Sequence, residues 1–537
     1  MCGIFFIKKE NHIKNAEHEI KTINHDYVTT LSEFNKGQER GPDNSKFLDL
    51  FNYYYMGFHR LSINGLDPNS NQPFIKNDIY LICNGEIYNY KELYSYIGVI
   101  PDTNSDCEII LDLYQLYPVD YFINLLDGVF AFVLYNVRKQ EIIVGRDPFG
   151  IRPLFNDKNF NYFSSELKQI SNLTEETILQ FSPGHYLIKN ENSTNLVKYH
   201  NLQQFYLPPC SQFKNFSDEI NFYKSMIRGT LITAVKKRLM SDRPIACLLS
   251  GGLDSSLITS IVVKLLKDTN TTTPLQTYSI GLEGSTDLKY AKIVANYLGT
   301  DHTEILVDEY DFFNVIPEVI EKIESYDTTT VRASVGNYLV AKYISEHSEA
   351  KVIFNGDGSD ELSGGYLYFQ RAPSNLLFDY EVKHLLNNIH FFDVLRSDRC
   401  ISSCGLEPRT PFLDKTFVNT YLSIPIKYRK DAKMEKKILR DSFIEFLPSD
   451  VLYRKKEAFS DGVSSSDRSW FQIIADRLKS TKIPSFSYNQ SYLSPQTKEQ
   501  LYYRYLFEQK FPNRENIIPY FWMPKWSSTN DPSARTL

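Results

Sequence analysis

The sequence contains no uninterrupted apolar run near the ~18 residues that a membrane-crossing helix needs, so no membrane partner is expected. No glycine follows Met1, which excludes N-terminal myristoylation, and the stretch KKENHIKN stands where a secretory leader would carry its apolar core. Neither sign of charge dominates. The 59 basic and 65 acidic residues leave a net charge of -6, which argues against an extended nucleic-acid surface. Cysteine is sparse, with 7 in 537 residues: Cys2, Cys83, Cys107, Cys210, Cys247, Cys400 and Cys404. The number is odd and the positions are scattered, which does not fit a disulfide framework. Only Cys400 and Cys404 stand close, without a second Cys/His pair to complete a zinc site. Reduced thiols in a cytoplasmic protein are the expectation. The Gly-Lys-Ser/Thr element of a Walker loop is also missing, as are internal repeats and long low-complexity segments.

What is present divides the chain. Up to about residue 200, apolar runs of strand length recur (YYYMGFHRLSI, IYLIC, GVFAFVLYN, EIIVG, HYLI), punctuated by NG, DG and DPFG turns. Runs that are apolar on both sides predict stacked sheets covered by helices, one of them DCEIILDLYQLY. Residues 201–216, with Pro-Pro and mixed polarity, read as a linker. From 217 on, Ile220, Ile227, Leu231, Val235 and Leu239 mark an amphipathic helix, with Ser217 and the acids behind it suiting its start. Short apolar runs then alternate with helices, which predicts a parallel α/β sheet. The basic runs AVKKRLM and YRKKEAF read as solvated faces in the first instance.

SGGLDSS, residues 250–256, follows the run IACLL and precedes a helix. Gly251 and Gly252 let backbone approach a ligand. Unpaired N–H groups at the helix start seat phosphate. Ser250, Ser255 and Ser256 add hydroxyls, and Asp254 can hold Mg²⁺ on the same phosphates. The string has the form of a loop that handles ATP split between its α and β phosphates, or else it is a connecting turn. NGDGSDE, residues 355–361, follows a second apolar run, and its crowded carboxylates suggest a cation, with Asp360 a candidate second ligand. Two such loops after strands of one sheet favour a metal–nucleotide site.

MCG places a thiol beside what becomes the chain's own α-amino group once Met1 is removed. Nucleophile and base then share one residue. Attack on an amide needs an oxyanion hole, for which NGEIYN offers the Asn84 amide and the Gly85 N–H. A substrate with an α-carboxylate and an α-amine needs a cation and an anion. Arg60 and Asp106 are the candidates. Taken singly, each has a bland alternative: a meaningless Cys, a hairpin turn, surface charges. Together they favour an enzyme.

The strings MCGI, RGPD, RLSI, NGEIYN, SDCEII, DGVFAF, GRDPFGIRPL, LLSGGLDSS, YDTTTVRAS, GSDE, GGYLYF, PFLDK and KKEAFSDGV, in this order, resemble the glutamine-hydrolysing asparagine synthetase family over nearly the whole chain. The resemblance implies an α/β multidomain protein. Residues 2–200 would form a glutaminase domain of the N-terminal-nucleophile type, an αββα sandwich, and 217–537 a helix-rich ATP pyrophosphatase domain with a parallel sheet. It implies Cys2 as nucleophile, Asn84 and Gly85 as oxyanion donors, and a glutamine pocket of Arg60, Ile63, Asn64, Glu86 and Asp106. Leu249, Ile280, Asn355 and Gly356 fall at nucleotide-binding positions, and Asp254 and Asp360 at metal positions. Thr329, Thr330, Arg332, Asp393 and Arg396 match positions for aspartate and the intermediate. Lys456 matches the lysine near pyrophosphate, which gives YRKKEAF a role.

The implied partners are glutamine, aspartate and ATP, with Mg²⁺ as cofactor, ammonia passing between the sites through a tunnel, and a homodimer as assembly. The sequence departs from the family at Asn355 and Asp357, where serine and glutamate are usual. It also carries Glu39 and His59 where histidine and glutamate are common; the expectation for these two is local packing. SGGLDSS argues against amidotransferases that act on sugar phosphates or phosphoribosyl pyrophosphate, and Cys2 against a β-lactam-forming relative. Only Asn355 and Asp357 favour a regulatory protein that has lost synthesis.

Overall fold

The computed structural model describes residues 1–9, 16–50, 53–202, 216–269 and 273–533. The linker reading falls largely on 203–215, and Cys210 with it; both lie outside the described residues.

The N-terminal half holds two six-stranded sheets, all of whose pairings are antiparallel. The first runs Ile178–Gln180, Phe155–Asp157, Tyr162–Ser164, Gly3–Lys8, Tyr54–Arg60, Asn44–Leu50. The second runs Thr194–Lys198, His185–Lys189, Glu141–Arg146, Gly128–Asn136, Ile79–Ile87, Phe74–Lys76. Side chains alternate along a strand, so GIFFIK can be apolar on both faces. Ile4 and Phe6 join Phe58, Ile82, Val133 and Leu187 in one core between the sheets. Phe5 and Ile7 belong to another core with Phe34 of the helix Ala16–Asn35. The second sheet is covered by Tyr90–Ile97, Ile109–Leu116 and Val119–Leu125 through Leu93, Ile110 and Phe122. The expected αββα layering has one addition. The core of Phe5 and Ile7 also includes Ile316, Val319, Ile320 and Phe507 from the C-terminal half. The outer layer on that face is therefore shared between the halves.

The C-terminal half is built on one parallel sheet, in the order Asp301–Leu306, Gln276–Gly281, Ile245–Leu248, Val352–Phe354, Glu407–Arg409. The chain starts in the middle, winds to one edge, then returns to build the other side. The order reverses between Ile245–Leu248 and Val352–Phe354, and a crevice opens there at the carboxyl ends of the strands. The loops leaving those two strands are SGGLDSS and NGDGSDE. The amphipathic helix runs Phe216–Lys237, so it starts one residue before Ser217.

Buried ion pairs cross between the halves. Arg40 reaches Asp398 and the Ser402 hydroxyl, each at 2.8 Å. Arg399 pairs with Glu324 at 2.8 Å, and Glu324 accepts the N–H groups of Leu167 and Lys168 at 2.8 Å each. AVKKRLM is not a solvated face: Arg238 is buried and pairs with Asp414 at 2.7 Å, and Lys237 reaches Asp127 of the N-terminal half at 2.6 Å. Of the two departures near the N-terminus, His59 packs locally, whereas Glu39 is exposed and reaches the C-terminal half. His59 stacks on Phe34 with ring centroids 3.9 Å apart, and Glu39 takes Lys322.

Candidate active sites

The strand Gly3–Lys8 opens the first sheet and sets Cys2 just before it, beside the second sheet. The Cys2 N–H donates to Asn84 Oδ1 at 3.1 Å, which leaves Asn84 Nδ2 buried with no partner. A donor in that state is costly unless a ligand uses it. Along Ile79–Ile87 the N–H groups of Cys83 and Ile87 turn away from the neighbouring strand, to Gln72 Oε1 and Asp106 Oδ2, each at 2.6 Å. The alternation of a strand turns the Gly85 N–H the same way. Burial pushes the Cys2 thiol up against the pull of the terminal amine, while burial pushes the amine of Met1, the residue before it, down to about 6.

Arg60 is buried and its hydrogen bonds go to oxygens of Asn64, Gly65, Asp67 and Asn71. Among the described residues no carboxylate pairs with it. The Asn64 amide meets Glu86, and Ile63 is buried beside it in the chain. Burial, with Asp106 as neighbour, raises Glu86 well above the usual carboxylate range. Asp106 is pushed up to about 6 by burial, against the Ile87 N–H that it accepts. A buried cation without a carboxylate and a buried acid thus sit around one strand, as an α-amino acid requires.

The second site lies at the switch point of the parallel sheet. The cavity there is lined by Leu249, Ser250, Gly252, Asp254, Ser255, Ile280, Asn355, Gly356, Asp357 and Asp360 from the strand ends, and by Thr329, Thr330, Asp393, Arg396 and Lys456 from the helices and loops around them. Gly252 precedes the helix Leu253–Asp268, and a Cβ there would meet only Ser250 Oγ, at 3.4 Å. Backbone is therefore bare where a phosphate would rest. Gly251 and Ser256 are not among the residues that line the cavity. Ser256 lies in the first turn of that helix, buried, and its Oγ has no partner. Gly251 makes the turn at φ +70, and a Cβ would lie 2.3 Å from Ala291 N. Gly251→Ala therefore combines a strained φ with a backbone clash, and is expected to cost about 2–4 kcal/mol of stability, measurable by denaturant unfolding.

Asp254 and Asp360 are drawn together by two lysines. Lys436 Nζ lies 2.6 Å from each carboxylate, and Lys456 Nζ lies 2.6 Å from Asp360 and 3.7 Å from Asp254. Burial alone would raise Asp360, but the two ammonium groups outweigh it and hold the carboxyl well below its usual range. Lys456 is correspondingly held above its ordinary value. Two hard oxygen ligands suit a cation that takes its other ligands from phosphate and water. Among the described residues no cluster of three or more His, Cys, Asp or Glu side chains forms a cage that could hold a metal by itself.

Lys436 is the residue that the sequence did not disclose. Its only signal is the pair KK in MEKKILR, which looks like any solvated basic pair. Asp393 accepts the Gly358 N–H at 3.0 Å and meets Arg396, which also holds Asp357 at 3.0 Å. Burial nonetheless raises the Asp357 carboxyl, and its Oδ2 has no partner. Asn355 donates to Ser397 at 2.7 Å. Arg332 is not among the residues that line the cavity. On the helix Thr328–His347, Thr329, Ala333 and Asn337 face the cavity at steps of four. Arg332 lies on the flank, bound to Glu499 at 2.6 Å and Asp531 at 2.8 Å.

A half with a thiol at its second residue beside oxyanion donors, joined to a half with a phosphate-ready switch point, fits the glutamine amidotransferases fused to a nucleotide-activating domain. Residues 1–216 match the family described as glutamine amidotransferase domain, and residues 226–388 and 377–529 match asparagine synthase. The glutamine-hydrolysing asparagine synthetases of Cricetulus griseus (42% identical), Gallus gallus (41%) and Homo sapiens (41%) each align with 93% of this chain and 94% of their own length. The chain belongs to the glutamine-hydrolysing asparagine synthetase family. No helix among the described residues is long and apolar enough to cross a membrane.

Proposed function

We propose that this enzyme makes L-asparagine from L-aspartate, with ATP as co-substrate and glutamine as nitrogen donor. Residues 2–200 hydrolyse glutamine and 217–537 carry out the synthesis. The observation that carries this reading is the pair Asp254 and Asp360, bridged by Lys436 and Lys456 at the switch point of the sheet.

With Met1 removed, the Cys2 amine takes the thiol proton and the thiolate attacks the amide carbon of glutamine. Asn84 Nδ2 and the Gly85 N–H stabilise the oxyanion. Ammonia leaves, and water hydrolyses the thioester to glutamate. Arg60 binds the α-carboxylate of glutamine, and Asp106 its α-amine, with Ile63, Asn64 and Glu86 around it.

In the other half the aspartate β-carboxylate attacks the α-phosphorus of ATP. Pyrophosphate leaves, and β-aspartyl-AMP reacts with ammonia that arrives through an internal tunnel, out of bulk water. Ser250, Gly252 and Ser255 receive phosphate. Leu249, Ile280, Asn355 and Gly356 hold the rest of the nucleotide. Thr329, Thr330, Asp393 and Arg396 hold aspartate, and Asp357 borders the intermediate. Lys456 and Lys436 offset charge on the leaving group. Mg²⁺ held by Asp254 and Asp360 would add positive charge to the triphosphate. A cytoplasmic homodimer belongs to the same reading, and the free thiols among the described residues suit that compartment.

Aspartate labelled with ¹⁸O in its β-carboxylate tests the chemistry. The label is expected in AMP. Label in inorganic phosphate would instead mean attack at the γ-phosphorus.

The acid in the glutamine pocket sets a pH dependence. Asp106 binds an amine only as the carboxylate, and its carboxyl is pushed up to about 6. As pH falls through that value the carboxylate is lost, so KM for glutamine should rise by up to ~10-fold per pH unit below it and level off above pH ~7. Glutamate release measured across this range should give a single ionisation in KM, and Asp106→Asn should flatten it at a raised KM.

A further inference from the structure

The glutamine pocket is not finished by the N-terminal half. Its loop from Ser62 to Gly65 carries Ile63 and Asn64 and gives two carbonyl oxygens, those of Asn64 and Gly65, to Arg60. The loop is gripped from outside by consecutive residues of the C-terminal half. Asp242 N donates to Ile63 O at 3.0 Å, and Asp242 Oδ2 accepts the Gly65 N–H at 2.8 Å. Arg243 Nε donates to Ser62 O at 3.0 Å. The gripping segment is itself fixed. The Ser241 hydroxyl bridges to Arg243, donating to its O at 2.8 Å and accepting its N–H at 3.0 Å. Arg409 donates to Met240 O at 2.6 Å and sets its other nitrogen 3.7 Å from Glu86. A cavity opens at this seam, lined by Asn64, Gly65 and Tyr90 on one side and Met240 and Asp242 on the other.

We propose that Asp242 is a positioning residue for glutamine binding, by which the C-terminal half holds the Ser62–Gly65 loop in the shape that Arg60 needs to receive the substrate carboxylate. This rests on the glutaminase reading given above. Gly65 sits at φ +65 with Ser70 and Asn104 close on it, so the loop has one tight turn to keep. Asp242 keeps it by holding the amide on one side of that turn while Arg60 holds the carbonyls. Without Asp242 the loop loses a charge-assisted bond, and Arg60 loses the fixed frame of its guanidinium. The thiol and the oxyanion donors, which sit on other strands, stay as they are.

The test uses the full chain. Asp242→Ala should raise KM for glutamine in glutamate release by ~10-fold, the loss expected of one charged hydrogen bond. Its kcat should change by less than ~3-fold and its ammonium-driven asparagine formation by less than ~2-fold, since neither the thiol nor the switch point is touched. Asp242→Asn, which keeps an oxygen acceptor, should stay within ~3-fold of the parent KM. Arg243→Ala, which frees Ser62 O and removes the guanidinium 3.6 Å from Asp43, the carboxylate that accepts the Ser62 N–H, should shift KM in the same direction and serves if the alanine variant at 242 does not fold. An unchanged KM, or an equal loss with both nitrogen donors, would overturn the assignment. If the parent enzyme releases no glutamate at all, the glutaminase reading fails first, before any variant is compared, and the role of Asp242 falls with it.

Discussion

Replacing Cys2 by alanine should remove glutamine as a nitrogen donor and leave ammonium as one. Without the thiol the pocket loses its attacking group, so glutamate release and glutamine-driven asparagine formation should fall by at least ~10³-fold. The structure gives the change little else to disturb. The contacts that fix Cys2 in place are made by its backbone: its N–H to Asn84, and its carbonyl oxygen to Arg40 Nε at 3.0 Å. Alanine keeps both. The thiol meets Leu61 O at 3.7 Å and packs against the core between the sheets, where the alanine methyl group stays apolar. Because Arg40 also reaches Asp398 and Ser402, the junction of the halves is preserved as well. Ammonium-driven synthesis should therefore stay within ~2-fold of the parent. Assays of the variant with each donor, at saturating aspartate and ATP, check both halves of the prediction.

Asp360→Asn should do the converse: asparagine from either donor falls by ~10²–10³-fold while glutamate release remains. Asp360 stands between two ammonium groups, buried Lys436 and half-buried Lys456, each 2.6 Å away. The neutral amide removes half of the negative charge that holds Lys436 and Lys456 at the switch point, and one of two oxygen ligands for a cation. Asp254 is left to compensate both lysines. The effect should lie in kcat for synthesis, and in KM for ATP if the nucleotide seat loosens. The glutamine pocket is built on other strands and should be unaffected.

Much of this arrangement is legible in the chain, for stated reasons. The strands of the N-terminal half are apolar on both faces because Ile4 and Phe6 meet one core and Phe5 and Ile7 another, a pattern that already implies stacked sheets. SGGLDSS and NGDGSDE both leave strands, and the sheet order brings them to one crevice. What was illegible depends on distant parts of the chain. Lys436 reads as a surface lysine until the fold carries it 182 positions back to Asp254. Nothing in the sequence singles out Asp242 until Gly65, 177 positions earlier, is found against it. Arg332 is the reverse case: it lies in a string shared with the family, and the fold pairs it with Glu499 and Asp531 on the flank of its helix. AVKKRLM looked solvated because sequence spacing gives charge but not partners, and its partners lie in the other half.

The most direct measurement follows the nitrogen. Purified enzyme is given aspartate, Mg-ATP and glutamine labelled with ¹⁵N in its amide, and the products are resolved by mass spectrometry. The account predicts asparagine carrying the label in its side-chain amide, with AMP and pyrophosphate formed in equal amounts with it. Glutamate and free labelled ammonium without asparagine, or ATP split to ADP and phosphate, would contradict it.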